Sequence, residues 1–393
     1  MVTFRWCGII LLLVGMTTSM VAQKDPGQWK PIIDKLKNHY APDRHLATFE
    51  ITVVQDGKNL IVRGEVDNLK AHDEVVAELD KLGAGTVLDS IVVLPDQKLG
   101  ATRYGIIAAS VANIRSDPGN ARELSTQYLM GTVVSLLKKS GSWYRVQGPD
   151  NYLGWLEGRT MELTDEQGVE RWKAVEKAIV TAHLTMIRER PDAKSYPVSD
   201  AVAGMLLKKG EKQGGWVRVE IPGGRSGYIS TNESEDYTTW KSSRRLTSEN
   251  IEHTARLFTG VPYLWGGTSS KGMDCSGFTK TVYRLNGLEL LRDADQQAEM
   301  GEEVQVGEKL QNLKKGDLLF FGRKASAERP ENISHVGIYL ENQEFIHTPT
   351  GAWVQTNSFD PATPNYSEYL LKIFVRARRI IGTAQIPEVK LSK

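Results

Sequence analysis

Cys275 lies in the run Met273-Asp-Cys-Ser-Gly-Phe278, at a point where a helix should begin. Apolar residues at 278, 282 and 285 recur with helical spacing, and Asp274 is placed to cap the helix N-terminus. A cysteine in the first turn meets unpaired backbone N–H groups and the positive end of the helix dipole, and both favour a thiolate. A partner for it can be sought in the segment from Ser334 to His347. There Val336, Ile338 and Leu340 alternate with His335, Gly337 and Tyr339, as in a strand with one buried face. If Glu341 to Gln343 is a three-residue hairpin loop, Leu340 pairs with Glu344 and Gly337 lies opposite His347. His335 and His347 then share a face as diagonal neighbours, with α-carbons about 7–8 Å apart. Gly337 leaves the space between them open. One imidazole could take the proton of a thiol while the other fixes its orientation and tautomer, the requirement of nucleophilic catalysis. A loop of even length would place the two histidines on opposite faces. Zinc is the competing reading of one cysteine and two histidines, but a fourth ligand and closer clustering are missing. No metal or cofactor is expected.

The rest of the chain must position these groups. It has 393 residues, enough for two to four domains, since single cores stop growing at about 250–300 residues. Lys and Arg number 49 against 48 Asp and Glu, for a net charge of +1. That balance excludes a nucleic-acid binder driven by phosphate neutralisation. The N-terminus has Arg5, an apolar run from Cys7 to Met16, and small or polar residues up to Ala22. The order is that of a signal peptide over 1–22, cut near Ala22, and the run is too short to span a bilayer. An exported protein follows, periplasmic by expectation and without an integral membrane segment in its mature chain. Of two cysteines only Cys275 is then retained, so no internal disulfide is available.

Two segments align without a gap at an offset of 73 residues. Ile114-Arg115 matches Ile187-Arg188, Gly131 matches Gly204, Trp143-Tyr-Arg-Val matches Trp216-Val-Arg-Val, and Gly154-Trp-Leu matches Gly227-Tyr-Ile. Short alternating strands separated by Gly, Asn and Asp turns indicate small barrels. This pattern resembles the bacterial SH3-like domain, over 103–160 and again within 161–242, where a linker helix precedes the second copy. Residues 24–102 read as a small α/β unit: a strand from Phe49, an Asp56-Gly57 turn, a second strand from Leu60, a helix from about Leu69 to Leu82 and a strand from Val87. Its His39, His45 and His72 have no ligand-like spacing and are expected to be surface or structural residues. His183 and His253 likewise lack a catalytic setting.

Tyr263-x-Trp-Gly-Gly, Asp274-Cys-Ser-Gly-Phe, Lys315-Gly-Asp-Leu and Ser334-His-Val-Gly-Ile-Tyr occur in one order. Together they resemble the NlpC-type cell-wall peptidases, which are papain-like cysteine enzymes. The resemblance implies a multidomain fold with a papain-like α+β catalytic domain over 243–393. It also implies Cys275 as nucleophile, His335 as general base, His347 as the orienting third residue and Tyr263 as a hydroxyl near the oxyanion. With the tandem SH3-like domains, the chain after about residue 100 is similar to the dipeptidyl-peptidase VI-like branch. That branch cuts the γ-D-glutamyl–diamino acid bond of peptidoglycan stem peptides bearing a free N-terminal L-alanine. The amine-recognising residues so implied are Asp274, Ser276 and Asp293, with Glu123 and Tyr152 from the first SH3-like domain. The second repeat has Tyr196 and Arg225 at the last two positions, so the first barrel should wall the site and the second act as a spacer. Leu291 stands where the family has proline. The expected partners are peptidoglycan-derived peptides, met by a monomer. Alternatives are an endopeptidase on intact peptidoglycan that uses its SH3-like domains as anchors, and a non-catalytic wall-binding protein.

Overall fold

The structure, a computed structural model, describes residues 28–383. The expected signal peptide and Cys7 lie outside the described residues. Among the described residues no helix is long and apolar enough to cross a membrane.

The N-terminal unit is a three-stranded sheet with two helices. Strands Phe49–Asp56 and Asn59–Val66 form a hairpin in which Asp56 pairs with Asn59. Its turn uses Gly57 at φ +59, a left-handed conformation that costs glycine little. Helix Leu69–Lys81 is capped by Asn68, whose side chain accepts from the N–H groups of Lys70 and Ala71. It buries Ala71, Val75 and Leu79 at helical spacing against Leu60, Val62 and Val66. The chain then crosses to strand Thr86–Val93, which runs parallel to Asn59–Val66.

The 73-residue repeat appears as two seven-stranded sheets, one between Tyr104 and Thr164 and the other between Lys177 and Asp236. Their strand orders are identical, strand for strand. Each has a register shift after its Ile-Arg pair's isoleucine (Ile114, Ile187), and each holds a matching glycine at positive φ, +87 at Gly131 and +90 at Gly204. Helix Glu166–Ala174, capped by Asp165, joins the two and is anchored by the Trp172 indole donating to the Gly131 carbonyl at 3.1 Å.

The C-terminal unit is built on a six-stranded antiparallel sheet. Strand Leu318–Arg323 is buried on both faces, which explains its uninterrupted Leu-Leu-Phe-Phe run. Leu318 and Phe320 face the core shared with helix Cys275–Leu285, while Leu319 and Phe321 join an aromatic cluster with Phe345, Phe359 and Phe374 on the other side. Helices set against an antiparallel sheet make this unit α+β.

The first barrel grips the C-terminal unit through polar contacts that would be costly to bury unpaired. Gln127 accepts from the Thr268 N–H (3.0 Å) and hydroxyl (2.9 Å). Buried Lys280 reaches Asp150 at 3.1 Å and Glu289 at 2.6 Å. The second barrel touches the same unit through the His183 carbonyl, which accepts from the Ser270 hydroxyl, and through an Asp200–Lys271 ion pair. The His183 ring packs on Phe258 at 4.3 Å, in keeping with a structural residue.

Candidate active site

Helix Cys275–Leu285 starts at the thiol. Asp274 caps it, accepting from the Gly277 N–H at 2.7 Å. The helix packs on strand Asn332–Tyr339, which carries His335. Cys275 is buried in the same core cluster as Val336, the residue next to His335. The hairpin to strand Glu344–His347 has the three-residue loop, so Gly337 is paired with His347 and the Leu340 N–H donates to the Glu344 carbonyl at 2.9 Å. A Cβ on Gly337 would stand 3.1 Å from that of His347, so the glycine does keep this face clear.

The two imidazoles touch, with His335 Nε2 2.7 Å from His347 Nδ1. His347 Nε2 is in turn 2.9 Å from Asn357 Oδ1, on the neighbouring strand Gln355–Ser358. Asn357 is oriented by donating from Nδ2 to the Asn365 carbonyl at 3.0 Å, and its Oδ1 also accepts from Gln355 Nε2 at 3.2 Å. These partners assign the protons. Asn357 Oδ1 can only accept, so His347 carries its hydrogen on Nε2 and offers a lone pair at Nδ1. His335 therefore donates from Nε2, and its Nδ1 is left as the basic nitrogen. Asn357 was not foreseen. A two-residue alternation places it on a face, but only the sheet brings it to His347. Asn357→Ala should lower kcat by tenfold or more, a share of the roughly 10²–10⁴-fold that a positioned general base contributes. Steady-state kinetics with thermal unfolding as a control checks this, and an unchanged kcat would remove Asn357 from the relay.

Electrostatics departs from the expectation of a thiolate at the helix N-terminus. Burial pushes the Cys275 thiol up to about 12, reinforced by the Asp274 charge and only partly opposed by the N–H groups of Val336 and Ser276. Burial, with the neighbouring His347, lowers His335 to about 3. Burial also lowers His347 to about 4, against the opposing bond from Asn357. The resting site holds a neutral thiol and neutral imidazoles, because burial disfavours both charges. Tyr263 is half-buried, its backbone bridged to Met273 two residues before Cys275, and burial raises its pKa.

The five residues implied in amine recognition separate into two groups. Asp274 and Ser276 are buried and saturated by the protein. Arg292, 2% exposed, donates to Asp274 Oδ1 (3.1 Å) and Oδ2 (2.6 Å), to Ser276 Oγ (2.9 Å) and, from the first barrel, to Thr126 Oγ1 (2.9 Å). Gly266 N–H donates to Asp274 Oδ2 at 2.8 Å as well. Asp274 thus serves as the counter-ion of Arg292 and the cap of the nucleophile's helix, and Ser276 belongs to the same buried cluster. Glu123 is exposed and Asp293 partly exposed, whereas Tyr152 is buried. The Tyr152 hydroxyl donates to Asp293 Oδ2 at 3.0 Å across the barrel interface, and Glu123 accepts from the Trp265 indole at 2.8 Å. His45, expected to be a surface or structural residue, lies with Nδ1 3.0 Å from Asp293 Oδ2. Among the described residues no group of three or more His, Cys, Asp or Glu is arranged to hold a metal ion.

The NlpC/P60 family profile matches residues 260–379, and that of the bacterial dipeptidyl-peptidase Sh3 domain matches 114–159. The chain is 31% identical over 239 residues to the γ-D-glutamyl-L-lysine dipeptidyl-peptidase of Bacillus subtilis, covering 58% of this chain and 72% of that protein. It is 27% identical to dipeptidyl-peptidase 6 of Lysinibacillus sphaericus, covering 67% of this chain and 95% of that one. The crystal structure of an NlpC/P60 family protein from Bacillus cereus superposes with a TM-score of 0.59 at 24% identity, over 70% of this chain and 99% of that one, and so shares its fold.

Proposed function

This chain belongs to the NlpC/P60 family of peptidases, and from that premise we propose that it cuts the γ-D-glutamyl–diamino acid bond of peptidoglycan stem peptides with a free N-terminal L-alanine. The observation that carries the substrate reading is the Tyr152–Asp293 bond at 3.0 Å, by which the first barrel supplies a wall of the site. A carboxylate kept ionised beside a phenol suits an ammonium ion, which is costly to desolvate without a counter-charge. Asp293 is held below the usual carboxylate range: burial would raise it, but the His45 bond and the charges of Arg292 and His45 prevail. Glycan-linked stem peptides have an amide in place of that amine, so such a pocket selects released peptides.

In the proposed reaction His335 Nδ1 takes the Cys275 proton as sulfur attacks the γ-carbonyl carbon. The tetrahedral oxyanion collapses, the C–N bond breaks, and the leaving amine takes the proton from His335. A thioester remains. Water, deprotonated by His335, attacks it and releases the L-Ala-γ-D-Glu carboxylate, and the proton returns to sulfur. We further place the protein outside the cytoplasm, as a monomer.

The test is cleavage of L-Ala-γ-D-Glu-L-Lys and its N-acetylated form by the purified chain. At least tenfold higher kcat/KM for the free amine is expected, about 1.4 kcal/mol of discrimination or more. Equal rates would refute the free-amine reading and favour an endopeptidase on intact wall.

A further inference from the structure

Residues 41–47, which link helix Lys30–Tyr40 to strand Phe49–Asp56, form a loop pressed into the seam between the first barrel and the catalytic unit. The His45 carbonyl accepts from the Leu153 N–H at 2.7 Å, and the Leu46 carbonyl from Gln147 Nε2 at 3.2 Å. On the other side Asp43 Oδ2 accepts from Gln296 Nε2 at 2.6 Å. Gln296 in turn accepts from the Asp293 N–H at 3.0 Å. The His45 ring stacks on Tyr152 with centroids 5.3 Å apart, and its Nδ1 meets the same Asp293 oxygen that Tyr152 bonds. The N-terminal unit and the first barrel thus converge, through His45 and Tyr152, on one carboxylate of the proposed amine pocket. Residue 45 lies outside both stretches matched by family profiles.

We propose that the N-terminal unit completes the amine pocket and that His45 is its specificity-determining residue: neutral, it admits the substrate ammonium to Asp293, and protonated, it excludes it. The inference rests on the amine reading above and adds its regulation. An imidazolium at Asp293 neutralises the carboxylate and repels a second cation at the same oxygen, whereas a neutral ring leaves the negative charge for the substrate. The charged and titratable groups around the ring are Asp293, Asp43 (Oδ1 3.7 Å from Nδ1), Arg44 and Tyr152, with Arg292 and Asp295 beyond Asp293. The Asp293 bond raises the pKa of His45 against the opposing effect of burial, with the Asp293 and Asp43 charges adding and Arg44 subtracting. The protonated form therefore persists to higher pH than in a free histidine, and affinity for an amine should rise as pH increases through this range. The peptide's own ammonium, with pKa about 8, stays largely charged up to pH 7.5.

The test is calorimetric binding of L-Ala-γ-D-Glu to the full chain carrying Cys275→Ala, at pH 5.5, 6.5 and 7.5. Kd should fall at least about tenfold across that range, the factor that a competing imidazole of the ordinary pKa, about 6.5, would give. Adding His45→Gln, or His45→Phe to retain the stack on Tyr152, should flatten the profile to within twofold. Both double variants keeping the original pH dependence, with the free amine still preferred over N-acetyl-L-Ala-γ-D-Glu, would overturn this inference alone. Equal binding of the two peptides, or binding of neither, would overturn it together with the amine reading.

Discussion

Cys275→Ala should abolish hydrolysis, lowering kcat by at least about 10⁴-fold, since loss of a nucleophile that acts as a unit with its base removes nearly all chemical acceleration. The fold should survive. Cys275 is buried in the catalytic core, and alanine at the first helical position, behind the Asp274 cap, deletes one sulfur and no hydrogen-bond framework. Activity within tenfold of wild type would exclude Cys275 as the nucleophile. The resting protonation states add a second signature. With the thiol pushed up to about 12 and His335 down to about 3, the proton stays on sulfur at neutral pH until substrate binds. Inactivation by iodoacetamide should then keep accelerating through pH 9. A plateau between pH 5 and 8 would instead report a preformed thiolate–imidazolium pair. His335 is already neutral above about pH 3, so an acid limb of kcat/KM between pH 5 and 7 cannot be its titration.

The second large effect is on stability. Arg292→Met should cost about 3–5 kcal/mol, the range for breaking a buried pair by removing one partner. Asp274 would keep its backbone donors from Gly266 and Gly277 but lose both guanidinium bonds inside a dry site. The Thr126 bond that ties the first barrel to this cluster would go with them. Denaturant midpoints of Arg292→Met, Asp274→Asn and the double variant form a cycle. The double variant should recover part of the loss, because it leaves no unpaired buried charge. A loss below about 1 kcal/mol for Arg292→Met would place the pair in the class of solvated ion pairs. Because Asp274 caps the nucleophile's helix, kcat should fall in every variant that disturbs it.

Local patterns carried much of this structure. The 73-residue offset reappears as two sheets of one strand order, because each copy closes its own core from its own alternating residues. The His335–His347 face was legible because side chains alternate strictly along strands and an odd loop preserves the face, as the Gly337–His347 pairing shows. The helix beginning at Cys275 could be read from its cap and its apolar spacing.

Other features depend on groups that no local pattern relates. Thr126, Arg292 and Asp274 converge from the barrel, a loop and a helix start. Asn357 reaches His347 only through sheet pairing, and His45 reaches Asp293 from a unit whose sequence suggested no chemistry. The Cys275 thiol makes the division clearest. Its helix position, visible in the sequence, favours the thiolate, yet packing removes the water that would stabilise it, and desolvation outweighs the N-terminal N–H groups. The sequence by itself determined which residues could react and which face of strand or helix they occupy, since those follow from short-range periodicity. Only the tertiary structure decided their protons, their counter-ions and the walls around them, because burial and charge pairing sum over atoms brought together from the whole chain.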